Sequence, residues 1–336
     1  MTESRRRRRA FRGLSVVTWV LLLLLAVLIV YPTVTMLLGA FKDGSPFRPG
    51  SKWSLQGFIT AYGSPDSLAT ISGSIVLALI TAVLGTGIGF IFAWVSTRTT
   101  VPLRRILTPV MVVSVALPSL FNAMGWSVLA NENAGLLNEL WRQLTGAPDA
   151  LLNIYSWPGL VLVSLIKPIA ISYLLLLGPA RSLSRSVEEA SVLAGTGHIR
   201  TMVAVTAPVL MPTILAVGII NLIIGLEAFD IPALIAIPAG IPLLSTEIFS
   251  LISENVIPDY SAASALALGI CVIVLVLVWV RWRVMASRSY ATVTGKAREQ
   301  RPWDLGRWSW IFTAMIAVYT LFALILPLAQ LVLGSF

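Results

Sequence analysis

Only a few side chains in this 336-residue chain could take part in chemistry, and they lie within or beside apolar segments. Lys167 and Asn221 fall inside such segments, while Glu227 and Asp230 follow about 28 to 33 Å along a helix from Pro208, at 1.5 Å per residue. Ionisable groups inside a membrane are unfavourable and often mark an ion or substrate path. These four residues are therefore candidates for a translocation path. The alternative is that the two acids lie at the outer surface and Lys167 packs against a carbonyl.

The sequence contains no pattern typical of a catalytic or metal centre. His198 is the only histidine and Cys271 the only cysteine, so the sequence offers no multi-residue zinc site or Ser-His-Asp triad. The dipeptide Gly295-Lys296 has no glycine five residues upstream, so it is not a phosphate-binding loop. We expect no catalytic residue, no metal and no cofactor in this chain, and we expect His198 to be a surface donor or a contact to a partner.

The composition is that of a polytopic membrane protein. Hydrophobic residues make up 57% of the chain, charged residues 12%, and the mean hydropathy is +0.87, whereas about a quarter of a soluble domain is charged. The net charge of +9 comes from basic residues beside apolar runs, which favours a membrane surface over nucleic acid. Seven apolar runs are long enough to span a bilayer as helices: 14–38, 68–96, 106–130, 158–180, 208–237, 262–280 and 308–333.

The charged segments predict the orientation of these spans. Residues 1–13 carry six arginines, and the apolar run that follows is longer than the core of a signal peptide, so we expect a retained first span. With this N-terminus in the cytoplasm, nineteen of the 24 basic residues lie in cytoplasmic segments, four lie in external loops, and Lys167 lies in a span. The positive-inside rule supports this orientation. It places the loop between the fourth and fifth spans in the cytoplasm.

That loop is the one polar interval in the most apolar half of the chain. Ser186 and Glu189 have the spacing of a capping box, and apolar residues recur around them at helical spacing. Gly195 and Gly197 are expected to end this short helix at positive φ, and Pro208 is the expected first residue of the next span. The result is an exposed feature with an apolar side, which an aqueous loop has little reason to display unless a partner covers it.

The sequence Glu189-Ala190-Ser191, followed by Gly195 and by Val205-Thr206-Ala207-Pro208, resembles the Glu-Ala-Ala loop of inner-membrane permease subunits of binding-protein-dependent ABC importers. It departs from the family at Ser191, where the family usually has Ala, and at Ala207, where the family prefers Leu. The resemblance implies an all-α, six-helix permease lobe whose loop docks as a coupling helix on a cytoplasmic ATPase. The residues it assigns to this coupling loop are Glu188, Glu189, Ala190, Ser191, Gly195, Gly197 and Pro208.

The same resemblance implies the partners. ATP would be bound and hydrolysed by a separate cytoplasmic ABC ATPase dimer, so this chain is expected to be a transporter subunit and not an enzyme. Closure of the ATPase would drive the helix bundle from inward-facing to outward-facing. An extracytoplasmic binding protein would select the cargo, and a second permease lobe would complete the path. All of this would take place in the bilayer of a bacterial inner membrane.

The two ends of the chain resemble each other. Residues 31–41 and 326–336 share Pro, Leu, Gly and Phe at an offset of 295 positions, which indicates an internal repeat, although apolar helix ends can also match by chance. We divide the chain into a basic N-terminus (1–13), a six-span transmembrane domain (14–287), a cytoplasmic linker (288–307) and the first helix of a second, incomplete lobe (308–336). The hypothesis is that the chain is the first half, plus one helix, of a fused two-lobed permease.

Residues 226–251 and 290–296 resemble ferric iron permeases of the same superfamily, which commonly carry two fused lobes. Ferric iron is therefore a candidate cargo, but related permeases move polyamines, thiamine, phosphonates and oxyanions. Three alternatives stay open. An ion-gradient-driven secondary transporter would use intramembrane carboxylates and broken helices near the midplane. The chain could also be a membrane scaffold, or a permease fragment without transport activity.

Overall fold

The computed structural model describes residues 16–44, 50–63, 65–254, 256–286 and 302–334. Within these ranges the chain is helical, and the only extended pairings are two isolated bridges. The basic N-terminus and most of the predicted linker lie outside the described residues. The α-helices are α1 (Val16–Ala40), α2 (Gln56–Tyr62), α3 (Pro65–Arg98), α4 (Leu107–Ala116), α5 (Ser119–Leu129), α6 (Leu136–Thr145), α7 (Trp157–Ser164), α8 (Ile166–Ser182), α9 (Arg185–Leu193), α10 (His198–Thr201), α11 (Ala207–Glu227), α12 (Leu244–Ser253), α13 (Tyr260–Ala286), α14 (Trp308–Thr320) and α15 (Leu326–Leu333).

Six helical stretches of the described chain are long and apolar enough to cross a membrane. Each coincides with one of the predicted spans, which confirms the all-α polytopic fold class. The stretches are Val16–Ala40, Pro65–Arg98, Trp157–Ser182, His198–Glu227, Tyr260–Met285 and Trp308–Leu333.

The third predicted span is not one straight helix. The helical segments Arg104–Ala116 and Ser119–Leu129 meet at an angle of 96°. The chain turns there because Leu117 has an extended backbone (ψ 129°) and Pro118 cannot donate a helical hydrogen bond. The two segments form either a broken span, which brings the total to seven, or a re-entrant loop.

The fifth span also differs from its predicted limits of 208–237. Its helix begins at His198, inside the polar loop, and runs through a π-helical turn (Met202–Thr206) into α11 without interruption. It ends at Glu227 because Ala228 is extended (ψ 131°), and Pro232–Ala236 forms a separate π-helical turn. The second half of the polar loop is therefore continuous with a membrane span.

The described residues fall into two compact units. The first contains the residues up to Ser67 together with Ile248–Cys271. Within it, Tyr62 of α2 donates a hydrogen bond to the carbonyl of Ala265 at 2.9 Å. In helix α1, no residue of the most apolar 18-residue window is buried.

The second unit, Leu68–Glu247 with the residues from Val272 onward, holds the main hydrophobic core. Its helices α3 and α8 approach closely where α3 carries glycine. A Cβ on Gly85 would lie 2.5 Å from the Cβ of Pro168, and one on Gly89 would lie 2.4 Å from the Cβ of Ser172. Small residues allow such backbone approach between membrane helices. This contact fixes the middle of α3 relative to the span that leads into the polar loop.

The last span packs within this same unit. The Trp126 ring of α5 lies 4.2 Å from that of Phe322, and its Nε1 donates to the Phe322 carbonyl at 3.1 Å. Gly125 lies against Pro327, since an added Cβ would be 2.7 Å from the proline Cβ. That this helix begins a second lobe stays a prediction. In this structure the helix packs against the core that the predicted first lobe forms.

Candidate functional site

The loop between the fourth and fifth spans folds as α9, a tight turn and α10, and we call residues 183–206 the knob. The N-cap of α9 is Ser184, whose Oγ accepts a hydrogen bond from the Ser186 backbone N–H at 3.4 Å. The predicted capping box is therefore wrong. Ser186 is the second residue of the helix, and Val187 occupies the position at which a capping box requires Glu or Gln.

The turn that ends α9 is a Schellman motif. Gly195 has a φ of +89°, its N–H donates to the Val192 carbonyl at 2.9 Å, and Thr196 N–H donates to the Ser191 carbonyl at 3.1 Å. The expectation of positive φ is confirmed at Gly195. It is wrong at Gly197, which has a φ of −64° and serves as the N-cap of α10.

A buried ion pair holds the knob from within. Arg98, the last residue of α3, donates through Nε to Glu188 Oε2 at 2.7 Å, and the two side chains are 3% and 0% exposed. The other carboxylate oxygen, Oε1, accepts a hydrogen bond from the Thr206 hydroxyl at 2.6 Å. We call Arg98, Glu188 and Thr206 the clasp. Since Arg98 also donates through Nη2 to the Leu183 carbonyl at 2.9 Å, both charged groups have directed hydrogen bonds, as a buried pair requires.

The clasp joins helix α9 to the end of α3, 90 positions earlier in the sequence, and to Thr206 near the start of the fifth span, 18 positions later. Further hydrogen bonds support it. Arg185 donates to the Thr97 carbonyl at 2.6 Å, and the hydroxyls of Ser191 and Thr201 lie 3.1 Å apart between the two helices of the knob. A displacement of α9 would therefore be transmitted directly to two membrane spans.

The outer face of the knob is apolar and uncovered. Val187, Leu193 and Val203 are 56%, 88% and 61% exposed, and Ala190 is also exposed. The side chain of Glu188 points the other way and is fully buried. One face of α9 is thus bound to the membrane domain, while the opposite face is free of contacts that would bury its apolar side chains.

The predicted coupling residues fall on different sides of this feature. Glu188 lies in the clasp, Glu189 and Ser191 are partly exposed, and Ala190 and Gly195 are exposed on the surface. Pro208 is exposed inside the continuous helix His198–Glu227, one residue after α11 begins. The prediction that Pro208 begins the next span is wrong, because the preceding π-helical turn joins α10 to α11 without a break.

The candidate path residues differ in their exposure and in their contacts. Lys167 is partly buried, Glu227 and Asp230 are exposed, and none of the three forms an ion pair within the part of the chain that the structure describes. Nor do any three His, Cys, Asp or Glu side chains in that part form a group that could hold a metal ion.

Asn221 is buried between three spans. Its side-chain nitrogen lies 2.9 Å from Thr86 Oγ1 of α3 and 2.7 Å from Ser172 Oγ of α8, and the residue is 0% exposed. Polar side chains that bond across helices stabilise packing within a membrane. In this conformation Asn221 therefore joins helices and does not face an open path.

Two residues of the clasp, Arg98 and Thr206, were not singled out by the sequence. Arg98 contributed there only to the count of cytoplasmic basic residues, and Thr206 only to the match with the loop motif. A usable signal was the arginine that ends an otherwise apolar span, since its charge requires either water or a buried acid.

The match to a known protein family includes the segments that form the knob and the clasp. Residues 85–292, which include α3 from Gly85, the knob and α13, match the profile of the binding-protein-dependent transport system inner membrane component. The chain belongs to this family. Its members are permease components of binding-protein-dependent ABC importers.

Individual relatives differ in what their names say they carry. The chain is 24% identical over 277 residues to the ferric transport system permease protein FbpB of Actinobacillus pleuropneumoniae, a match that covers 82% of this chain and 39% of that protein. It is also 24% identical over 207 residues to the trehalose/maltose transport system permease protein MalF of Thermococcus litoralis, covering 60% of this chain and 68% of MalF. The chain thus spans about two fifths of the length of the ferric permease.

Among solved structures, the chain is similar to one from a bacterial alginate ABC transporter in complex with an alginate pentasaccharide-bound periplasmic protein. The TM-score is 0.66 at 16% sequence identity, and the match covers 88% of this chain and 100% of the other. At this identity the likeness establishes the permease fold of the chain.

Proposed function

We propose that this chain is the permease subunit of an ATP-driven importer and that the knob is the site at which a separate ATPase docks. The observation that carries the proposal is the contrast between the two faces of α9. Glu188 is fully buried in the clasp, whereas Val187 and Leu193 present an uncovered apolar surface. Exposed apolar surface of this kind commonly marks a protein-binding site, and membership of the importer family supports the same conclusion.

The proposed mechanism follows the contacts of the knob. Closure of the ATPase on ATP moves α9, and the clasp passes this movement to α3 through Arg98 and to the fifth span through Thr206. The helix His198–Glu227 then carries it across the membrane without a break. Glu189, Ala190 and Gly195 transmit force in this scheme and do no chemistry. ATP binds only to the partner.

The remaining partners are also proposals. The distribution of basic residues supports a cytoplasmic N-terminus and a cytoplasmic knob in a bacterial inner membrane. A periplasmic binding protein delivers cargo to the opposite surface, by analogy with the complex of the alginate transporter. A second permease lobe completes the path, and the repeat between residues 31–41 and 326–336 and the greater length of the ferric permeases support it.

We further propose ferric iron as the cargo, because two of the relatives are ferric permeases by name and match 82% of the chain. The experiment is uptake of radiolabelled ferric iron by cells that lack their other ferric importers and express this chain with its genomic neighbours. We expect iron to accumulate while labelled maltose, the cargo class of another relative, does not. Maltose uptake without iron uptake would assign the chain to the sugar importers instead.

Docking at the knob is tested by Leu193→Asp. Leu193 is 88% exposed, so a charge there should leave insertion and folding unchanged but should prevent an apolar partner surface from covering α9. We expect a detergent pull-down with the genomic neighbours to recover an ATP-hydrolysing subunit with the wild-type chain and at least about tenfold less of it with the variant, as a loss of about 1.4 kcal/mol in binding would give.

The matched control is Leu144→Asp, which adds the same charge at a residue that is 84% exposed on α6, in a predicted external loop. It should leave capture unchanged. Equal capture by Leu193→Asp and the wild type would remove the knob as the docking site. Failure of the wild-type chain to capture any ATPase would favour an ion-gradient-driven transporter.

A further inference from the structure

The segment just before the last span is attached to the end of α3. Trp303 N–H donates to the Arg98 carbonyl at 2.8 Å, and Thr100 N–H donates to the Trp303 carbonyl at 2.9 Å. These two bonds form a short parallel bridge between Thr99 and Trp303. Arg98 is also the residue whose guanidinium holds Glu188, so the segment is fixed to the same residue as the knob.

The indole ring of Trp303 makes a second attachment, to the knob itself. It lies 4.9 Å from the ring of His198, the first residue of α10, with the ring planes at 74°. This is the edge-to-face arrangement that aromatic pairs favour. The Trp303 ring also lies 6.4 Å from the ring of Trp94, which is 1% exposed and in turn lies 6.3 Å from the ring of Phe312 of α14. Trp303 therefore lies between the knob and the core.

A short hydrogen-bonded turn connects Trp303 to the last span. Leu305 is 8% exposed, and its carbonyl accepts a hydrogen bond from Trp308 N–H at 3.2 Å, at the start of α14. The intervening turn is closed by Asp304, whose Oδ1 accepts from Gly306 N–H at 2.9 Å. A displacement of Trp303 would thus move the first turn of α14.

We propose that residues 302–305 form a cytoplasmic strap in which Trp303 is a positioning residue that ties the knob to the helix Trp308–Leu333. A movement of the knob then follows two routes, through the clasp to α3 and the fifth span, and through His198 and Trp303 to the last span. Arg98 serves both routes, because its side chain binds Glu188 and its carbonyl binds the strap. The inference rests on the proposed function only in taking the knob as the place where force enters.

The competing explanation is that Trp303 is an interfacial anchor, a common role for tryptophan at a membrane surface. An anchor would hold the last span at its depth in the bilayer but would not constrain the knob. The two roles therefore differ in one measurable quantity, the freedom of the knob relative to the last span while that span stays packed.

The test measures this freedom by electron spin resonance distances on the full chain in nanodiscs, without any ATPase. The single cysteine, Cys271, is exposed and is replaced by serine. Spin labels are then placed at Leu193 on the knob and at Val318 on α14, which are 88% and 64% exposed. We expect a narrow distance distribution that roughly doubles in width in Trp303→Ala, because the knob gains local freedom, and that narrows again in Trp303→Phe, which retains a ring for His198.

A second label pair, Val83 on α3 with Val318, reports whether the last span is still docked, and its distribution should stay narrow. If Trp303→Ala broadens the distance distributions of both label pairs, the last span has been released from the core. His198→Ala then tests the contact between Trp303 and the knob, because it removes the other ring of the pair. We expect His198→Ala to broaden only the knob pair. The strap would be overturned if the distribution between Leu193 and Val318 kept its width in His198→Ala. It would also be overturned if that width were unchanged in Trp303→Ala while the distribution between Val83 and Val318 stayed narrow. Neither outcome depends on whether an ATPase binds, so the strap can fail while the proposed function stands.

Discussion

Glu188→Ala should lower the free energy of unfolding by about 3–5 kcal/mol, because it leaves the guanidinium of Arg98 buried without its counter-charge. Glu188 is 0% exposed and accepts hydrogen bonds from both Arg98 and Thr206, so the substitution also leaves the Thr206 hydroxyl without its acceptor. The measurement is equilibrium unfolding of the purified chain in mixed detergent micelles. Amide exchange of the knob should accelerate in the same variant, since α9 loses its attachment to α3.

A second ion pair, on the surface of α6, provides a matched control. Arg142 and Glu139 are 3.8 Å apart on α6, and their side chains are 26% and 53% exposed. Exposed pairs contribute roughly 0–1 kcal/mol, so Glu139→Ala should have little effect. The double variant Arg98→Met with Glu188→Met should recover much of the lost stability, because apolar residues of similar volume remove both buried charges. A loss in Glu188→Ala no larger than that in Glu139→Ala would show that the clasp does not hold the knob.

Gly89→Ala is the second change with a large expected effect. The added Cβ would lie 2.4 Å from the Cβ of Ser172, 2.8 Å from the Ile169 carbonyl oxygen and 2.9 Å from the Tyr173 nitrogen. Two of these three atoms belong to the backbone of α8, so no side-chain rotation relieves the contact. We expect α3 and α8 to separate locally, with a loss of about 1–3 kcal/mol in the free energy of unfolding and weaker hydrogen bonding of Asn221 between the same helices.

Gly87→Ala provides the control, two residues away on the same helix. Gly87 is exposed, and an added Cβ would meet nothing within 4 Å. Alanine there should be neutral or stabilising by up to about 1 kcal/mol, because it loses less backbone entropy in a helix than glycine. Equal unfolding curves for the two variants would contradict the close approach of α3 and α8.

The clasp and the glycine contact share a consequence for the proposed transport cycle. The glycine contact fixes the middle of α3 to α8, and the clasp fixes the C-terminal end of α3 to the knob. A rigid α3 with both attachments can move as one body when α9 is displaced, as hinge and shear motions of packed helices require. Substitutions that loosen either contact should therefore weaken the transmission of movement before they affect binding of a partner.

Much of the fold was predictable because it depends on local patterns. Long apolar runs determine the spans, since burial of apolar surface in lipid acts residue by residue. The orientation that the basic residues indicate stays a prediction. The knob was also predictable as a short helix, a turn at Gly195 and an apolar side, because these follow from the spacing of a few neighbours. The strong bend at Pro118 was only partly predictable, since a proline can kink a span or break it.

The sequence by itself determined a polytopic membrane protein with one polar loop among apolar spans. It marked Glu188 and Glu189 in that loop but did not indicate which of the two is buried. Only the tertiary structure decided that Glu188 is the buried member, because its partner Arg98 lies 90 positions away and the choice depends on how α3 and α9 pack. The same holds for Trp303 against His198 and for Asn221 between three spans. Long-range contacts of this kind are set by the packing of whole helices, and no local pattern of residue types encodes them.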